Sequence, residues 1–356
     1  MYFPFISFLR IPKYTEFMDT TGLRCDISDI IGRIKIFAAP LQGFTEAAWR
    51  NAHHTVFGGV DAYFTPFVRL EKGDLRNKDR RDVDPKNNIS LPGMVIPQII
   101  ASEPDELTTL ADYLVSLGYR MIDVNMGCPF PLIVNRGKGS GILPHPDKVA
   151  ALVECMADKK FLSDNVKFSI KMRLGHLSPD EWKDLTSILN DSCVSGITLH
   201  PRIGKQQYKG SVDLDSFGEF YSAVNKPLIY NGDLCSVDDI RKIISLFPDI
   251  KGVMIGRGLL ADGGLAAGFK SGCDMDRTEL CGTEMYRREL YRKTIQMHSL
   301  MYQQYRTFIE GGDAQLLQKL KSNWEYWLPD LDKKKRKAIL KANKLDVYLN
   351  EVNSIA

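Results

Sequence analysis

The amino-acid sequence predicts an α/β fold: a (β/α)8 TIM barrel followed by a smaller C-terminal all-α helical bundle. Eight short runs rich in β-branched and aromatic residues recur between residues 34 and 258, and most are followed by a stretch of helical periodicity. The turn after the first run reads APLQGFTE, where the competing doubly wound sheet usually carries GxGxxG. From about residue 275 the strand signal ends and apolar residues keep helical spacing.

Each element has its own warrant. IKIFAAP (34–40) reads as the first strand and TEAAWRNAHHTVF (45–57) as a helix. DAYFTPFV (61–68) and GMVIPQII (93–100) are the second and third strands, and PDELTTLADYLVSLG (104–118) is a helix opened by proline. MIDVNMG (121–127) is the fourth strand and HPDKVAALVECMADKK (145–160) its helix. VKFSIKMRLG (166–175) is the fifth, followed by a helix at 178–192. GITLHPR (196–202), KPLIYNGD (226–233) and GVMIGRG (252–258) complete the set, with SVDDIRKIISLF (236–247) helical between the last two. Three segments follow: an N-terminal extension at 1–30, with Met18 an alternative start, a barrel at 31–270 and a helical domain at 271–356. The last contains TEMYRRELYRKTIQMHSLMYQQYRTFIE and AQLLQKLKSNWEYWL.

Composition narrows the class. Of 356 residues, 44% are hydrophobic and 26% charged, as in ordinary globular chains. No apolar run reaches the ~18–20 residues that span a bilayer. The first residues resemble a secretion signal poorly, since no basic residue precedes the apolar stretch and no small-residue cleavage site closes it. The seven cysteines form no CxxC pair, which argues against zinc or a redox dithiol and fits a reducing cytoplasm. No HExxH or clustered His/Asp set points to a metal. The net charge of +3 is mild, but KKKRKAILKANK (333–344) holds seven Lys/Arg and no acid. That run is either a solvated helix face or a surface for phosphates.

In a barrel, chemistry gathers at the C-terminal strand ends. Those ends read Pro40-Leu41-Gln42, Gln98, Asn125 with Cys128, Lys171 with Arg173, His200 with Arg202, Asn231-Gly232-Asp233, and Gly256-Arg257-Gly258. This ring is polar and cationic. It lacks the pair of carboxylates a glycosidase uses. NGD and GRG at the seventh and eighth ends suit a phosphate, through backbone N–H groups and the Arg257 charge, although each alone is also a common turn. An interior lysine such as Lys171 needs an electron-rich partner, which a flavin ring or a rim carboxylate could supply. His200 reads equally as a satisfied core histidine. Cys128 lies between a glycine that permits a sharp turn and a proline that locks φ. It is either an incidental thiol or a mostly protonated general acid at the barrel mouth.

Six pieces resemble the FMN-dependent tRNA-dihydrouridine synthases, in family order: AAPLQGFTEAAWR, DVNMGCPFPLIVNRGKGSG, IKMRLG, LHPRIGKQQYKGSVD, YNGD and VMIGRG. The tail LKSNWEYWLPDLDKKKRKAILKANKLDVY resembles the family's helical domain. The resemblance implies that NADPH reduces FMN, that hydride passes to C6 of a tRNA uridine, and that Cys128 protonates C5. It implies that Pro40, Leu41 and Gln42 line the flavin ring and that Gln98 bonds its edge. Lys171 and His200 then contact the ring or ribityl chain, and Asn231, Gly232, Asp233, Gly256 and Arg257 the phosphate. Asn125, Lys138, Arg173 and Arg202 are expected at the uridine or nearby tRNA, and Lys333, Lys334, Lys335 and Arg336 on the tRNA surface. A cytoplasmic monomer is expected.

The chain departs from the family's pattern in four places, one of them ADGGLAAGFK (261–270), which lacks the family's usual proline and aromatic after the eighth strand. Leu41 stands where methionine is commoner, Thr65-Pro66-Phe67 lacks the usual acidic residue, and His200-Pro201-Arg202 replaces His-Gly-Arg. Two other functions stay open on sequence alone. One is an FMN barrel oxidoreductase acting on a small pyrimidine. The other is a non-catalytic RNA-binding protein with a relic barrel.

Overall fold

The computed structural model describes residues 34–271 and 284–355. The expected extension at 1–30, and most of the boundary expected at 270–277, lie outside them. Nine strand segments form one sheet in the order β5-β2-β1-β11-β10-β9-β8-β7-β6. They are β1 (Lys35–Ala38), β2 (Ala62–Phe64), β5 (Val95–Ile96), β6 (Gln98–Ile99), β7 (Met121–Met126), β8 (Lys167–Gly175), β9 (Ile197–Ile203), β10 (Leu228–Tyr230) and β11 (Gly252–Ile255). Every pairing within this sheet is parallel.

β5 and β6 are one physical strand split at Pro97, which lacks an N–H for the ladder. The Pro97 carbonyl still accepts the Asp123 N–H at 2.9 Å. β5 pairs with β2 and β6 with β7, so this third strand closes an eight-stranded barrel.

Helices cover the outside. The expected helix at 45–57 is Ala47–Val56, and that at 104–118 is Pro104–Ser116. The helix expected at 145–160 is two, Pro146–Met156 and Lys159–Ser163. The helix expected at 178–192 is also broken, into a 3-10 turn Glu181–Leu185 and a helix Thr186–Asp191. The Glu181 carboxylate there accepts the backbone N–H groups of His176, Leu177 and Ser178.

Several elements had no sequence warrant, among them a helix after β9 and a hairpin with its own helix after β2. Leu214–Ala223 is a helix capped by the Asp213 side chain, which accepts the Ser216 N–H at 2.9 Å. After β2 an antiparallel hairpin forms from β3 (Leu70–Glu71) and β4 (Asp74–Leu75), ahead of a helix Asn77–Val83.

The barrel interior is layered. Phe37, Ala39, Phe64, Ile96, Ile229 and Met254 form an apolar plug. A polar layer follows: Ser169 Oγ donates to Asp123 Oδ1 (2.6 Å), Gln98 Nε2 to Asp123 Oδ2 (2.7 Å), and Asn125 Nδ2 to Gln98 Oε1 (2.8 Å). Burial pushes the Asp123 carboxyl up to about 7, against these hydrogen bonds and the positive charge of Lys171.

The C-terminal helices are Glu284–Arg306, Gly312–Ser322, Lys333–Lys341 and Leu345–Asn353. Met297, Met301, Tyr305 and Trp324 join the same apolar cluster as Ile36 and Trp49 of the barrel. Lys319 donates to the Gly43 carbonyl (2.7 Å) and pairs with Glu46 (2.9 Å), which also binds Lys78. The loop after β1 is therefore clamped by the C-terminal helices.

Candidate active site

The strand C-termini open into one cavity of about 780 Å³. The segment 124–141 builds one wall. Asn125 is the penultimate residue of β7, and its Oδ1 accepts the N–H groups of Gly127 (3.1 Å) and Cys128 (2.9 Å), which fixes the turn. A Cβ on Gly127 would lie 3.3 Å from the Met172 backbone of β8, so the turn packs tightly there. The Cys128 carbonyl accepts from the Ser140 N–H (3.0 Å) and Oγ (3.2 Å). Gly139 has φ +60°, and a side chain there would strike that carbonyl.

The thiol is half-buried against Phe67, Ile100 and Ile133. Burial pushes its pKa up, more than the Phe130 N–H and the charges of Arg173, Lys171 and Arg69 pull it down. It is a thiol at neutral pH, able to donate a proton.

Lys171, on β8, lines the same cavity. Burial, with Arg173 adding to it, pushes its ammonium down to about 8. Its Nζ makes no hydrogen bond or ion pair with any described residue. Arg173 is anchored: Nε donates to the Gly127 carbonyl (2.9 Å), and Nη1 to those of Ile203 (3.0 Å) and Gln207 (2.8 Å).

His200 is buried, and burial together with four nearby cations holds its pKa well below the usual histidine range. Its Nε2 lies 3.1 Å from Arg202 Nη1, a donor only. Nε2 is therefore the acceptor and the neutral ring carries its proton on Nδ1.

The β10 and β11 ends form the opposite wall. Asp233, at φ +43°, binds Arg202 through both oxygens and Arg257 at 2.8 Å. Burial works to raise its pKa, but these two guanidiniums hold it below the ordinary carboxylate value. Gly258 is required by close approach, since a Cβ there would lie 2.1 Å from the Leu234 carbonyl oxygen. The backbone N–H groups of Asp233, Leu234 and Arg257 have no acceptor among the described residues.

Thirteen of the residues singled out in the sequence line the cavity: Pro40, Leu41, Gln42, Asn125, Cys128, Lys171, Arg173, His200, Asn231, Gly232, Asp233, Gly256 and Arg257. Others lie elsewhere. Gln98 sits beneath the floor with both amide atoms engaged. Lys138 pairs with Glu106. Arg202 is buried behind Asp233 and also donates to the Gly210 carbonyl at 2.6 Å. In the basic helix, Lys333, Lys334 and Lys335 are exposed, with Lys335 donating to the Ser354 carbonyl at 2.9 Å. Arg336 turns inward onto the carbonyls of Trp324, Trp327 and Leu328.

The sequence reading missed several lining residues. Tyr208 lies under the Arg257 guanidinium at 4.5 Å. Tyr326 reaches in from the C-terminal helical region and meets the Phe44 ring edge-on at 5.1 Å. Arg69 and Arg76 flank the unexpected hairpin, just before β3 and just after β4. An aromatic five residues past the end of β9 was the available signal for Tyr208, and no strand end marks Tyr326.

The sequence profile of the dihydrouridine synthase family matches residues 37–352. The chain belongs to the dihydrouridine synthase family. This family member is similar to tRNA-dihydrouridine synthase B of Pasteurella multocida, with 26% identity over 234 residues, 64% of this chain and 66% of that one. It is similar to the Yersinia pestis protein of the same name, with 27% identity over 229 residues, 62% of this chain and 67% of that one. The chain thus spans about two thirds of the length of these relatives.

Among solved structures, histamine dehydrogenase from Rhizobium sp. 4-9 superposes with a TM-score of 0.52 at 12% identity, covering 69% of this chain and 48% of that one. 2-Naphthoyl-CoA reductase superposes at 0.51 and 10% identity, covering 67% and 50%. At such identities the likeness supports the barrel fold of this dihydrouridine synthase family member.

Proposed function

We propose that the protein is a tRNA-dihydrouridine synthase that uses FMN and NADPH to reduce the C5–C6 double bond of specific tRNA uridines in the cytoplasm. The observation that carries this is a protonated thiol and an unpaired ammonium sharing one cavity with unused turn amides. The residues fit a flavin mononucleotide. Lys171 offers a cation with no partner of its own, the electrostatic complement of an electron-rich ring edge. Pro40, Leu41 and Gln42 would flank the ring, and Gln42 is held by its Nε2 on the Phe67 carbonyl at 3.1 Å. The amides of Asp233, Leu234 and Arg257, with the Arg257 charge, would take the phosphate.

When bound, a flavin would supply a hydride for C6. Cys128 supplies the proton that adds to C5, and one saturated C–C bond replaces the double bond. The thiolate left behind is stabilised by the charges of Arg173 and Lys171, and water returns the proton. Neutral His200 lines the same cavity, with Nδ1–H as its donor.

A uridine stacked in tRNA must be extruded to reach this depth, at a cost of a few kcal/mol that backbone contacts offset. Exposed Lys333, Lys334 and Lys337 suit that role. Replacing all three with alanine should weaken tRNA binding about tenfold or more at 100 mM salt, leaving the melting temperature unchanged. Arg336→Ala should instead lower the melting temperature, because three buried carbonyls lose their donor. Filter binding and thermal melts on both variants separate the roles. The proposed activity itself is tested by nucleoside mass spectrometry of unmodified tRNA incubated with the flavin-loaded protein and NADPH.

A further inference from the structure

Four arginines line the cavity: Arg69, Arg76, Arg173 and Arg257. Three are anchored. Arg76 is bidentate on Asp79 (2.9 and 2.7 Å), Arg173 holds three carbonyls, and Arg257 binds Asp233. The Arg69 guanidinium donates to nothing among the described residues, and its Nε is enclosed without an acceptor. The nearest carboxylate is half-exposed Glu71, at 4.0 Å. Such a cation in a cavity wall is poised for an anion from outside.

Its position says which anion. Phe67 and Arg69 both face the cavity, flanking Val68, which is wholly buried and pairs with Ile99. Phe67 packs with Ile133 and Cys128, so Arg69 belongs to the thiol side, and its charge acts on the Cys128 sulfur. The turn amides suited to the cofactor's phosphate are on β10 and β11. On the thiol side, Phe130 also lines the cavity with 57% of its surface exposed, and neighbouring Leu132 is 66% exposed. Pro129 and Pro131 stiffen the backbone around Phe130. A guanidinium whose ion pair is a 4.0 Å contact to an exposed carboxylate, sharing a cavity with an exposed, rigidly mounted aromatic, is the combination that binds single-stranded nucleic acid.

We propose that Arg69 and Phe130 form a subsite for the nucleotide adjoining the extruded uridine, Arg69 taking its phosphodiester and Phe130 stacking on its base. This rests on the reading of the cavity as a uridine site.

The test uses flavin-loaded wild type, Arg69→Ala, Arg69→Lys and Phe130→Ala. tRNA affinity is measured by filter binding from 50 to 300 mM salt, and NADPH-driven flavin reduction by stopped flow. Arg69→Ala should bind tRNA about tenfold more weakly, and its slope of log affinity against log salt should fall in magnitude by about 0.7–0.9, the loss of one phosphate contact. Arg69→Lys should keep the wild-type slope. Phe130→Ala should lose about tenfold in affinity with the slope unchanged. Reduction by NADPH should match wild type in all three.

Wild-type affinity and slope in Arg69→Ala would overturn the subsite. So would a defect confined to NADPH-driven reduction, which would assign the guanidinium to the dinucleotide. If wild type itself binds tRNA without salt dependence or forms no dihydrouridine, the uridine reading fails before the subsite is reached.

Discussion

Replacing Cys128 with alanine should leave flavin content unchanged and slow turnover on tRNA by about 10²- to 10⁴-fold, the range for a lost general acid. The thiol lies at the end of β7, on the wall away from the turn amides of β10 and β11, so its removal leaves the cofactor's contacts in place. Phe67, Ile100 and Ile133 enclose the position, and alanine fits there without a new polar group. Single-turnover assays with prereduced protein isolate the step. The fall should appear in the tRNA-dependent step alone, and reduction by NADPH should run at the wild-type rate. Because burial holds the thiol protonated, iodoacetamide should modify Cys128 slowly at neutral pH in flavin-free protein, and faster as pH rises.

Lys171→Met should weaken flavin binding about 10- to 100-fold, as expected when a charge-assisted hydrogen bond is lost in a dry site. The pH dependence gives this prediction a sign. In flavin-free protein the ammonium titrates at about 8, depressed first by burial and then by Arg173. An electron-rich ligand raises that value, so binding takes up a proton wherever the free protein has lost one. Flavin affinity should therefore be constant below about pH 8 and decline above it. The methionine variant should show no such decline between pH 7 and 9. Fluorescence titration of FMN against both proteins, over that range, measures it. A wild-type affinity that rises with pH would mean that the neutral amine is the binding form.

The strands and most of the candidate site were legible because each strand ends in a short, chemically distinctive turn. Cys128 stood out through Gly127 and Pro129, which leave the backbone few choices, and the structure adds Asn125 as the side chain that closes the turn. The helix Leu214–Ala223 was hidden by Gly218, an unfavourable residue mid-helix, although Asp213 at the cap and buried Phe217 and Phe220 signal it in hindsight. Arg69 and Arg76 were illegible because the hairpin they flank is too short to show a period, and only the tertiary fold brings them to the cavity.

The basic helix shows the limit of composition. Lys333, Lys334, Lys335 and Arg336 read alike as charges, yet Arg336 lies one turn before buried Ile339 and shares its inward face. The family resemblance implies Gln98 as a flavin contact. The structure shows its amide bridging Asp123 and Asn125, an arrangement that only the closure of β6 onto β7 produces.

The account turns on whether one cavity brings a reduced cofactor and the Cys128 thiol to opposite sides of a tRNA pyrimidine. Nucleoside mass spectrometry of unmodified tRNA, incubated with flavin-loaded wild type or Cys128→Ala and NADPH, measures this most directly. Dihydrouridine should accumulate with wild type and stay near background with the variant, both proteins carrying equal flavin. Equal yields from the two proteins, or NADPH consumption by wild type with no dihydrouridine in any tRNA, would contradict it.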